Sequence, residues 1–244
     1  MHAFGQILKI ETRLFLRDFG SPLLTVALPL ALLLVFGLIP ALREPDPQFG
    51  NLSFIEYFVP SLLVITLAMS AVNILPTVLA TYRERGVLRR LATTPASPAA
   101  LLAAQLVISL ATILVSAVLL IVVGRLAFDV PLPQRPLGFA LALVLGTAAL
   151  LALGLLVAAV ARTVKAAQAM AVPVFMLTMF FGGVYLPRFL LPDFLVRIGD
   201  YTPPGVQALL DAWTGTSPHP LHLGIMAVVA VAAGATAAKL FRWE

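Results

Sequence analysis

Three observations predict an all-α integral membrane fold. Of 244 residues, 61% are hydrophobic and 11% charged, against about a quarter charged in a soluble domain. Charge-free runs of bilayer length recur along the chain. They are continuous rather than alternating, which excludes a transmembrane barrel. Mean hydropathy is +1.02. With so little polar surface, lipid is the solvent, and backbone groups in lipid need partners inside their own helix.

Six windows carry the predicted spans: 19–42, 57–82, 91–124, 136–161, 166–187 and 212–238. Each holds the ~20 residues that cross ~30 Å of hydrocarbon, although the lipid-suited part of the last begins only near Leu221. The first run exceeds a signal-peptide core of about 7–15 residues and lacks an A-x-A cleavage site, so it is expected to stay as a span. Residues 1–18 place Phe4, Ile7, Leu8, Leu14 and Phe15 among Lys9, Arg13 and Arg17, the pattern of an interfacial helix. Residues 185–220 carry Pro187, Pro192, Pro203, Pro204, Pro218 and Pro220, with apolar pieces too short to span. Phe189, Leu190, Leu191, Phe194, Leu195 and Ile198 would be poorly placed in water, so short re-entrant or interfacial cap helices are expected before the sixth span. The whole of 1–244 reads as one transmembrane domain.

An even number of crossings puts both termini on one side. That side holds 11 of the 16 basic residues, from Lys9, Arg13 and Arg17 to Lys239 and Arg242, while seven of the 11 acidic residues lie opposite. Lys and Arg in short loops resist translocation, so both termini are expected in the cytoplasm. The net charge of +5 is then topology charge beside anionic lipid rather than a nucleic-acid surface.

Enzyme chemistry has little support. Cysteine is absent, which removes disulfides, iron–sulfur clusters and thiolate metal sites. No G-x-x-x-x-G-K-[ST], G-x-S-x-G or H-E-x-x-H pattern occurs. His219 and His222 form an H-x-x-H interrupted by Pro220, expected to serve a loop or cap. No catalytic, cofactor-binding or metal-binding residue is assigned. The spans hold no ionisable residue at their centres, and Glu56 lies only at the edge of the second. Ion-driven carriers need such groups, so an external energy source is expected.

Polar side chains recur at helical spacing in two spans: Thr66, Ser70, Asn73 and Thr77 in the second, and Gln105, Ser109, Thr112 and Ser116 in the third. Such faces line a path for amphiphilic cargo or form interhelical hydrogen bonds worth ~0.6 kcal/mol each. The fifth span combines Pro173 with Met170, Phe175, Met176, Met179, Phe180 and Phe181, flexible and aromatic surfaces suited to variable apolar ligands or to packing. Gly154 and Ala158, and Ala230, Gly234 and Ala238, fit small-xxx-small helix contacts.

Between the second and third spans lies the island YRERGVLRRLATTPASP, residues 82–98. Arg83, Glu84, Arg85, Arg89 and Arg90 alternate with Val87, Leu88 and Leu91. Two readings are open: a docking element whose cations meet a partner's acids around an apolar anchor, or a solvated loop on lipid headgroups.

Three segments resemble the transmembrane subunit of a type 2 ABC exporter, of the compact bacterial drug- and glycolipid-exporting kind. FIEYFVPSLLVI carries Pro60. RERGVLRRLATTPASP carries Glu84, Gly86, Leu88, Leu91, Thr94 and Pro95. FFGGVYLPRFLLPDFLVRIGDYTPPGVQALLDAW carries Gly183, Pro187, Pro192, Pro203 and Asp211. Many relatives have Glu-Arg-Glu where this chain has Arg83-Glu84-Arg85.

The resemblance implies a half-transporter in the bacterial cytoplasmic membrane, paired with a second copy or a paralogue. Two cytoplasmic ABC ATPase subunits would carry ATP and magnesium, and this chain would not itself be an enzyme. Residues 82–98 would be the cytoplasmic coupling helix, with Arg83, Glu84, Arg85, Gly86, Val87, Leu88, Arg89 and Leu91 as the ATPase contact. The second and fifth spans would line the route, through Thr66, Ser70, Asn73, Thr77, Phe175, Met176, Met179 and Phe180. The expected function is ATP-driven export of a hydrophobic or amphiphilic drug, lipid or glycoconjugate. An ion-driven secondary transporter and a non-transporting membrane scaffold are the alternatives.

Overall fold

A computed structural model describes residues 2–18, 20–92, 98–185 and 190–241. Helix α1 (His2–Arg17) leads into α2 (Gly20–Gly37). After a short hairpin come α3 (Phe54–Glu84), α4 (Val87–Ala92) and α5 (Pro98–Phe128). Then follow α6 (Pro136–Val160), α7 (Val164–Phe181), α8 (Asp193–Asp200), α9 (Val206–Thr214) and α10 (Pro220–Leu240). Six of these, α2, α3, α5, α6, α7 and α10, are long and apolar enough to cross a membrane, and the protein is an all-α integral membrane protein.

The centre of the bundle is α3, whose most apolar window is 72% buried against 17% for α10. Val59, Leu62, Leu63, Val64, Leu67, Ala68, Ala71 and Val72 form its core face. At 31 residues, α3 is about 46 Å long and outruns the hydrocarbon layer.

Two π-turns interrupt the spans, at Leu23–Ala27 in α2 and Met69–Ile74 in α3. Each ends two residues before a proline, Pro29 and Pro76. A proline ring clashes with the carbonyl four residues back and removes a donor; widening the preceding turn relieves both. The freed carbonyl of Thr25 accepts from Ser116 Oγ at 3.3 Å. The bulge of α3 presses on α6 at Gly154, where a Cβ would lie 1.8 Å from the Ala71 carbonyl oxygen. Only a residue without a side chain admits that approach, so the expected close contact at Gly154 is present. On α10, Ala230 of the expected set packs on the core and Gly234 lies against Ala152, while Ala238 is exposed; Ala233 and Ala237 are buried beside them.

At the end of the bundle away from the termini, hairpin residues Pro45 and Asp46 pair antiparallel with Ser53 and Leu52. Ser53 caps α3 through a capping box: Glu56 N donates to Ser53 Oγ at 3.2 Å, and Ser53 N donates to Glu56 Oε2 at 2.8 Å. The rings of Phe36, Phe54 and Phe58 cluster beside it at centroid distances of 5.1–5.6 Å.

The proline-rich segment corrects one expectation. Residues 206–214 are a separate helix, α9, so the sixth span starts at Pro220 rather than at 212. Its buried face is Val206, Ala208, Leu209, Ala212 and Trp213. Arg135 N donates to the Ala212 carbonyl at 3.0 Å. Before α9 the chain dips until the Pro204 carbonyl oxygen sits 2.4 Å from where a Gly146 Cβ would be. Gly146 is ten residues along α6 from Pro136, so the excursion reaches about 15 Å into the bundle. On α8, in contrast, Phe194 and Ile198 are exposed, as is Leu190 just before it. Of the two forms expected here, re-entrant or interfacial, such exposure is what an interfacial helix presents. Pro187 and Phe189 lie outside the described residues.

Candidate functional site

The end of α3 that meets the termini is built from three consecutive residues, each tied to a different part of the bundle. Tyr82 Oη donates to Glu11 Oε2 at 2.6 Å, and Gln105 Nε2 donates to the same oxygen at 2.6 Å. That joins α3 to α1 and α5. Burial raises the Glu11 pKa above its ordinary 4.5, and the two hydrogen bonds oppose that rise. Arg83 Nη1 donates to the Ala158 carbonyl at 2.8 Å and to that of Ala161. Its guanidinium lies 5.1 Å from the centroid of the Phe241 ring. Glu84 Oε1 accepts from Val164 N at 2.7 Å, where Thr163 already caps α7 through Ala166 N.

The electrostatics follow from helix ends. The last carbonyls of α6 are orphan acceptors with partial negative charge, and the first amides of α7 are orphan donors with partial positive charge. Arg83 supplies a cation to the first and Glu84 an anion to the second. Both residues belong to the last turn of α3 rather than to the short helix. The outward placement expected for Arg83 is therefore corrected: it is half-buried and faces α6.

Helix α4 is set off by Gly86, whose φ of +66° is left-handed and whose Cβ would meet nothing within 4 Å. Glycine takes that conformation without steric cost. Leu88 is 2% exposed, so it fastens α4 to the bundle rather than anchoring a partner as expected. Val87 and Leu91 are half-buried, and Arg85 and Arg90 are exposed. The Arg89 side chain, Thr94 and Pro95 lie outside the described residues.

Beside this elbow a cleft of about 540 Å³ opens between α1, α2, α3 and α7. Asn73, Thr77, Thr81 and Tyr82 of α3 line it, with Gln168 of α7 and Arg85 at its rim. The polar stripe of α3 is thereby split. Asn73 and Thr77 face the cleft, while Thr66 and Ser70 are buried at 1% and 3% exposure. Thr66 Oγ1 lies 3.2 Å from Ser116 Oγ. Ser109, Thr112 and Ser116 are likewise buried, which makes the α5 stripe interhelical.

The four fifth-span residues have different surroundings. Phe175 and Met179 are core residues, Met176 is exposed, and Phe180 stacks edge-on against Phe181 at 5.3 Å. Gln168, not singled out from the sequence, is the α7 residue that reaches the cleft. Glu11 was also missed. Its signal was an acid with Ile7, Leu8, Leu14 and Phe15 three and four residues away, in the middle of the apolar face of α1.

Among the described residues no cluster of three or more His, Cys, Asp or Glu is arranged to hold a metal. His219 Nδ1 accepts from Leu221 N at 3.3 Å and caps α10, the structural role expected of it.

The family model for the ABC-2 type transporter matches residues 2–204, from α1 to just before α9. Searches of curated proteins and of solved structures give no match. The chain belongs to the ABC-2 type transporter family, as the multi-pass membrane component that works with ABC ATPase subunits and is not itself the ATPase.

Proposed function

We propose that this chain is the permease of an ATP-driven exporter of amphiphilic or hydrophobic molecules, of the drug, lipid or glycoconjugate kind. It sits in a bacterial cytoplasmic membrane with both termini in the cytoplasm. It pairs with a second copy or a paralogue and recruits two ATPase subunits that bind ATP and magnesium. Arg85, Gly86, Val87, Arg89 and Leu91 meet the ATPase, while Arg83, Glu84 and Leu88 hold the elbow to the bundle. Cargo enters through the cleft lined by Asn73 and Thr77. Thr66, Ser70, Phe175, Met176, Met179 and Phe180 lie farther along the same two helices, where small shifts widen the route.

One observation carries this reading. Tyr82, Arg83 and Glu84 bind the end of α3 to α1, α6 and α7, and through Glu11 to Gln105 of α5, so a push on α4 is delivered to all of them. The cleft beside it is walled by the helices that would move.

The chain has no cysteine, so Arg90→Cys introduces a single thiol. A membrane-impermeant maleimide should label it in inside-out but not right-side-out vesicles, and the bound ATPase should suppress that labelling. Labelling from outside, or no protection, contradicts the proposal.

A further inference from the structure

A second cleft, of about 420 Å³, lies at the end of the bundle away from α4, and the coupling described above does not use it. Its size is in the range that takes drug-sized ligands. The hairpin supplies Phe49, α3 supplies Tyr57, α8 supplies Asp193, and α9 supplies Asp211. The Phe49 and Tyr57 rings are 5.2 Å apart and tilted by 45°. Gln207 Nε2 donates to Asp211 Oδ1 at 2.7 Å, which fixes that carboxylate. Leu52, Leu191 and Leu210 complete an apolar wall, and among the described residues no Lys, Arg or His lines it.

This lining selects by charge. Asp193 and Asp211, with no basic side chain among the described lining residues and with Arg197 exposed one turn along α8 from Asp193, give the concave wall a negative potential. Aromatic faces attract a cation further, and the leucines take up an apolar body. An anion would meet two like charges.

We propose that this cleft binds an amphiphilic organic cation, an ammonium or phosphonium on an aromatic or aliphatic body, as cargo leaves the bundle. Its place on an export route rests on the function proposed above; the binding itself does not.

The test uses the purified chain, without ATPase, in phosphatidylcholine nanodiscs, and equilibrium binding of tritiated tetraphenylphosphonium. Saturable binding above empty nanodiscs is expected. Asp193→Asn with Asp211→Asn should weaken it at least ~tenfold, Phe49→Leu by about threefold, and Asp193→Glu little. Asn73→Ala, in the other cleft, should leave it unchanged. Tetraphenylborate, an anion of nearly the same shape measured separately, should not bind saturably. A matching melting temperature and gel-filtration profile show that the double variant is folded; if it is not, Phe49→Leu and Asp193→Glu still decide. Absence of saturable cation binding, equal binding of the anion, or unchanged affinity in the folded double variant overturns the proposal. Loss of binding with ATPase coupling intact removes this site alone. Intact binding with no ATPase partner removes the export reading alone.

Discussion

The two ends of α3 are fixed by opposite means. At the hairpin end, Ser53 and Glu56, three residues apart, satisfy each other, and the ring cluster joins Phe54 and Phe58 to Phe36 at the end of the preceding span. At the termini end, Tyr82, Arg83 and Glu84 reach partners 71, 75 and 80 residues away. The polar cap of the first end is local. The second exists only when five helices are assembled, so it is the end that can transmit a displacement.

The difference can be broken by substitution. Arg83→Met keeps the stem and removes the charge, leaving the Ala158 and Ala161 carbonyls without this donor. A charge-assisted bond of this kind contributes about 1.5–3 kcal/mol, so the largest loss of thermal stability is expected here, read by a shift in melting temperature in detergent. ATP hydrolysis by the assembled complex should fall with it. Ser53→Ala at the other end should cost about 1 kcal/mol and leave coupled hydrolysis unchanged. If both variants uncouple alike, the ends do not differ.

The smallest effect is a pH dependence. Burial holds the Glu11 pKa above 4.5, so the docked state binds its proton more tightly than the undocked state. Docking of α1 is then strongest below 4.5 and weakens as pH rises through the raised value. Hydrogen exchange of the α1 amides should speed up over that window beyond its intrinsic pH dependence. Glu11→Gln, which cannot titrate, should remove the excess.

The same contrast explains what was legible in the sequence. Hydropathy located all six spans, because lipid imposes one solution on every apolar run of that length. The elbow was legible too, as charges and a glycine between two spans. Its wiring was not. Nothing local tells Arg83 to turn toward the end of α6, or Glu84 toward the start of α7, since both partners are backbone groups that every residue carries. The split of the α3 stripe was equally hidden: Thr66 and Thr77 have the same chemistry and spacing, and only the neighbouring helices decide which meets a cleft. On α8, apolar composition left a re-entrant and an interfacial helix open, because both satisfy it, and the exposed Phe194 fits the interfacial one.

Glu84→Ala tests most directly whether the clamp at the end of α3 carries the motor's movement into the bundle. The variant permease is reconstituted with its ATPase, and substrate-stimulated ATP hydrolysis and ATPase retention are measured together. Retention of the ATPase with stimulation lost is expected, because the elbow still presents Arg85, Val87 and Leu91 while the tie to Val164 is cut. Stimulation at the level of the unaltered protein would contradict the clamp.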